Sequence, residues 1–177
     1  MPENFRLEVP QNTPDCAMPV QPPNPMLDEL HAVRKAPGSH MSPSFHKVTI
    51  TGANGQHFES RLKSDAQEIT NVITGQRDTY RDNARLSSEF ELKDQNGMIT
   101  VRTIFGPQTA DGKESIQKQS GERRAHDGAL KSKFEIDFSS EGKATKMTCT
   151  DSAGKKSHDR TLTSADWQTD EGPEKKK

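Results

Sequence analysis

Six histidines and two cysteines are the residues of this 177-residue chain best suited to chemistry, and their neighbours decide which chemistry is open to them. The histidines are His31, His40, His46, His57, His126 and His158. His46 and His57 stand on two stretches that read as facing strands of a hairpin, where two imidazoles could share an ion. No carboxylate or cysteine is spaced to complete that site, so no metal ligand is assigned. His126-Asp127-Gly128 and His158-Asp159-Arg160 each set a carboxylate beside an imidazole. A general base also needs a nucleophile or substrate within hydrogen-bond reach. Here the first triplet falls in a turn pattern and the second on a polar strand. No catalytic residue is assigned, and the expectation is a non-enzymatic protein without a cofactor.

The cysteines, Cys16 and Cys149, form neither a disulfide framework nor a metal-type spacing. Cys149 alternates with Met147 and Thr145, which predicts a buried small hydrophobe. No Gly-rich phosphate loop, nucleophile elbow or zinc signature is present. The basic runs "GERR" (121–124) and "KSK" (131–133) are interleaved with acidic residues, and the chain has only seven Phe, one Tyr and one Trp. A nucleic-acid surface calls for a basic face with stacking aromatics, so no nucleic-acid partner is expected. No apolar run approaches membrane-spanning length, and no membrane partner is expected. No signal peptide is visible, and localisation is left open.

The elements that would position any site divide the chain in two. Eight of the eleven prolines lie in residues 1–37, a segment with three basic and five acidic residues. Proline lacks an amide proton and fixes φ, so this stretch cannot form a sheet or helix interior throughout. The remainder carries 22 basic and 21 acidic residues and is long enough for one domain. Where the two compositions meet stands Gly38-Ser39-His40-Met41, a string that reads as a cloning remnant. The expected organisation is therefore a proline-rich partner peptide, 1–37, fused in front; the remnant 38–41; a β-rich domain, 42–167; and a disordered tail, 168–177.

A fused ligand needs anchors. "NFRLEVP" alternates Phe5, Leu7 and Val9, a short strand able to add to an open sheet edge. "NPMLDELHAVRKAP" carries Met26, Leu27, Leu30 and Val33 at helical spacing, with Asp28 and Glu29 early and Arg34 and Lys35 late, as the helix dipole favours. These seven apolar residues are the predicted ligand-peptide anchors, and the proline-rich stretch between them is a semi-extended spacer. Tethering would hold such a weak ligand at roughly millimolar effective concentration.

The domain reads as mainly β: an antiparallel meander of seven to eight strands, barrel-like or strongly bent, with one helix near 65–74. "FHKVTIT" and "QHFESRL" flank Asn54-Gly55, a hairpin turn. "SDAQEITNVITG" offers Ser64 as a cap, an apolar stripe at Ala66, Ile69, Val72 and Ile73, and Gly75 as terminator. Leu86, Phe90 and Leu92, then Ile99, Val101 and Phe105, then Leu130, Phe134, Ile136 and Phe138 alternate with polar residues along later strands. The function expected is a protein-interaction domain binding a strand-plus-helix motif. An alternative is a carrier of a small apolar ligand, because the Gly-punctuated meander resembles, in pattern alone, the fatty-acid-binding and lipocalin-type barrels. A small secreted or injected effector is a third option compatible with the polar composition.

Overall fold

A computed structural model describes residues 19–162 of the chain. One short helix, α1 (Leu27–Lys35), precedes eleven strands: β1 (His40–Ser44), β2 (Lys47–Thr51), β3 (His57–Lys63), β4 (Ala66–Asn71), β5 (Arg77–Arg81), β6 (Ala84–Asp94), β7 (Gly97–Phe105), β8 (Ile116–Arg124), β9 (Leu130–Phe138), β10 (Ala144–Asp151) and β11 (Lys156–Thr161). Each strand pairs with its neighbours in sequence order, all antiparallel, and β1 does not pair with β11. The fold is mainly β, a single antiparallel meander. The expected seven to eight strands and the barrel-like alternative are corrected: the described residues form eleven strands, and the sheet is open.

Three strands account for the difference in number. The segment read as a helix over 65–74 is β4 and the turn after it. Its apolar residues happen to fall three and four apart, but Ile69, Thr70, Val72, Ile73 and Thr74 are β-branched and fit a pleated surface better than a helix. Only Ile69 of the supposed stripe is buried; Val72 and Ile73 are exposed in the β4–β5 turn. Ser64, read as a cap, has φ 52° and turns the β3–β4 hairpin, while Gly75, at φ 81°, closes the next one. The second missed strand, β5, is too polar to show an alternation: Arg77, Asp78, Thr79, Tyr80, Arg81. The third, β1, contains His40 and Met41 of the Gly-Ser-His-Met string, paired to Thr51 and Ile50 of β2. All its side chains are exposed, and its Pro43 is tolerated because β1 is an edge strand.

Register alignment puts one row of side chains across the whole sheet on one face. Val48, Ser60, Ile69, Asp78, Ser88, Thr103, Gln119, Ile136 and Met147 stand opposite one another on successive strands from β2 to β10. This face carries both apolar clusters. One gathers Phe90, Val101, Phe105, Ile116, Phe134, Ile136, Phe138, Ala144, Met147 and Cys149. The other gathers Ile50, Phe58, Ile69 and Tyr80 with Met26 and the apolar stripe of α1. At the centre of the row, on β5 to β8, four neighbouring residues are polar and fully buried: Asp78, Ser88, Thr103 and Gln119.

Cys149 is buried in the first cluster, and it is disulfide-bonded. The expectation of a simple small hydrophobe is corrected on that point. The chain has one other cysteine, Cys16, which lies outside the described residues. With a single cysteine in each compositional half, no spacing pattern announces a bridge.

A candidate segment-binding face

The residues first inspected for chemistry do not converge. His57 is opposite Thr51 at one end of the β2–β3 hairpin, whereas His46 sits in the β1–β2 turn with its ring 3.9 Å from that of Phe45. Strand register therefore separates the two imidazoles. Among the described residues no group of three His, Cys, Asp or Glu side chains is placed to hold a metal ion. His126 Nε2 lies 2.7 Å from the Gln95 carbonyl, and Asp127 accepts the Ala129 amide in a turn. Asp159 bonds Lys156, and that bond holds its carboxyl below the usual range. Within the basic runs Arg124 bonds Glu122 at 2.7 Å, and Lys133 lies 3.5 Å from the same carboxylate. The Arg124 bond holds the Glu122 carboxyl below its ordinary range.

What does converge is a set of polar side chains that sequence inspection passed over. They rise from the packed face and close on the main chain of residues 20–27. Gln119 grips Val20 at both ends: its Oε1 accepts the Val20 amide at 2.9 Å, and its Nε2 donates to the Val20 carbonyl. The same Nε2 donates to Thr103 Oγ1 at 3.1 Å, which fixes the amide's orientation. Arg85 Nη1 donates to the Pro23 carbonyl at 2.8 Å, and Gln76 Nε2 to the Asn24 carbonyl at 2.9 Å. Tyr80 Oη accepts the amides of Met26 at 2.8 Å and Leu27 at 3.3 Å.

The side chains making these contacts are themselves locked. Arg85 forms a fork with Glu114, Nε to Oε2 at 3.0 Å and Nη2 to Oε1 at 2.9 Å. Its guanidinium also lies 4.2 Å over the Phe105 ring and 3.5 Å from Asp78 Oδ2. Asp78 accepts from Tyr80 Oη at 2.8 Å and from Gln76 Nε2 at 3.1 and 3.2 Å. The buried Asp78 carboxylate and the Arg85 guanidinium are thus satisfied out of water, with the partly exposed Glu114 as the second counter-charge, the condition under which buried charge is tolerated. Burial, with Asp78 alongside, pushes the Tyr80 hydroxyl far above the ordinary tyrosine range, so it stays protonated and available to donate.

The same group caps α1. The first amides of a helix have no partner inside it, and Met26, at the cap position, supplies no side-chain bond. Asp78 and Tyr80 supply partners from the sheet, placing a carboxylate at the positive end of the helix dipole. Arg34 and Lys35 complete the match at the other end.

Of the predicted anchors, Met26, Leu27, Leu30 and Val33 are buried against Ile50, Phe58, Ile69 and Tyr80. Phe5, Leu7 and Val9 lie outside the described residues. A trough of about 430 Å³ occupies the opposite, polar face, lined by Glu89, Arg102, Glu122, Lys133 and Glu135 among others. Its charged lining is paired within itself, Arg102 with Glu89 at 3.8 Å and Lys133 with Glu122 at 3.5 Å. No described helix is long and apolar enough to cross a membrane. No family model matches this chain, and no curated protein or solved structure shows significant similarity to it.

Proposed function

We propose that the open sheet is a non-enzymatic interaction domain whose packed face binds a short segment, and that residues 19–35 are the ligand it holds. One observation carries this reading: buried side chains of four strand residues and of Gln76, just before β5, serve the main chain of residues 20–27. Gln76, Asp78, Tyr80, Arg85 and Gln119 meet donors at Val20, Met26 and Leu27 and acceptors at Val20, Pro23 and Asn24. A segment read mainly through its backbone is typical of peptide recognition, with a few apolar anchors adding affinity. The anchors here are the four buried residues of the helical end, each worth about 1.5–3 kcal/mol when fully buried. Alone, a nine-residue helix is marginal in water. The joining residues 38–41 contribute no side chain to either apolar cluster, although His40 and Met41 pair with β2 at the start of the edge strand.

The test uses the full chain carrying a protease site between Ala36 and Ser39, cut after folding and with the Cys149 disulfide reduced. A labelled peptide spanning 19–37 should exchange saturably into the cut protein, and the same peptide with Leu30→Asp should not. Loss of the folded sheet upon cutting, with the uncut reduced chain still folded, would show that the segment is an inseparable part of the core.

A further inference from the structure

The extended part of the segment shows a burial rhythm that the helical anchors do not explain. Pro19 and Pro22 are buried and Pro25 is half-buried; Val20 and Pro23 are half-buried; Gln21 and Asn24 are exposed. The pattern repeats every three residues and then passes into Met26, which is buried. Period three belongs to the polyproline II helix, which makes no internal hydrogen bonds and leaves its carbonyls open to donors. The sheet provides donors at that point: Arg85 to the Pro23 carbonyl and Gln76 to the Asn24 carbonyl. Pro22, Pro23 and Pro25 have no amide to satisfy. The amides of Val20, Met26 and Leu27 each meet a buried acceptor on the sheet.

From this match we infer the class of ligand, an inference that rests on the binding role proposed above. The face takes a segment with prolines three apart, in polyproline II form, running directly into a short amphipathic helix. In this chain that is Pro19, Pro22 and Pro25 followed by Met26, Leu27, Leu30 and Val33. The pre-set φ of proline lowers the ordering cost of the extended part. The buried carboxylate and phenol then cap the helix that follows. A partner protein presenting the same succession would compete with residues 19–35 for the same bonds.

Peptides discriminate the pitch from the mere presence of proline. Into the cut, reduced full chain described above, the peptide 19–37 is titrated beside one in which Gln21 and Pro22 are exchanged, keeping composition and every helical anchor. A third peptide carries Pro22→Ala. The exchanged peptide places a proline on the exposed side and a glutamine, with its amide, at the buried position. It should bind at least tenfold more weakly than the parent, and Pro22→Ala should fall between the two. Equal affinity of all three would overturn the proline-pitch inference and leave the binding role standing. No binding by the parent peptide would overturn both.

Discussion

Tyr80 Oη stands 2.8 Å from the Met26 amide that it accepts and 2.8 Å from the Asp78 carboxylate to which it donates. One hydroxyl thus joins the front segment to a buried charge on the sheet, across 54 residues of sequence. Tyr80 is also the chain's single tyrosine, so its ionisation can be followed without interference.

The hydroxyl sets a pH dependence. Burial raises the folded-state pKa above that of the unfolded chain, which is about 10. Below that value both states keep the proton, and stability does not depend on this group. Above it the unfolded chain releases a proton that the folded chain retains, so stability falls as pH rises past about 10. Urea unfolding at a series of alkaline pH values checks the slope. Tyr80→Phe should flatten it while costing about 1–3 kcal/mol at neutral pH, because Asp78 and Met26 each lose a partner.

Arg85 neutralises the buried Asp78 and the partly exposed Glu114, and its removal leaves the Asp78 carboxylate buried without its counter-charge. Arg85→Met is expected to destabilise the full chain by about 3–5 kcal/mol. Arg85→Lys should not rescue it, since an ammonium cannot make the fork with Glu114 while reaching the Pro23 carbonyl. Denaturant midpoints of the two variants provide the comparison.

Two hydroxyls adjacent in the buried row should respond oppositely. Thr103 Oγ1 accepts from Gln119 Nε2, so Thr103→Val removes a bond that orients the Val20 clamp. The expected cost is about 1–3 kcal/mol. Ser88 Oγ has no hydrogen-bond partner among the described residues. Ser88→Ala should be neutral or stabilising, because it deletes an unsatisfied buried group. Equal losses for the two variants would contradict the bond assignment.

Cys149→Ser should lower stability by about 2–5 kcal/mol through loss of the disulfide. Reductant should shift the parent's unfolding midpoint by a similar amount and leave the variant's midpoint unchanged.

The sheet's later strands were legible because Leu130, Phe134, Ile136 and Phe138 alternate with charge, a pattern no helix produces. α1 forms where Met26, Leu27, Leu30 and Val33 fall at helical spacing. β4 misled because three-and-four spacing arose by chance among β-branched residues, and long-range pairing to β3 and β5 decided the outcome. The polar contacts on the segment were not legible. Asp78, Arg85 and Gln119 look like ordinary surface residues until register sets them on the packed face. Tyr80, the lone tyrosine beside a charged hairpin turn at Asp82-Asn83, was the one hint available.

The central claim is that the front segment is a ligand on the sheet, and Tyr80 reports its presence most directly. Phenol absorbance is to be titrated in the intact protein and in the cut, reduced protein from which the released front segment, residues 1–36, has been dialysed away. The account predicts no phenolate in the intact chain until it unfolds, ionisation nearer the ordinary tyrosine range once the segment is gone, and reversal when the peptide is added back. An unchanged titration in a sheet that stays folded without the segment would contradict it.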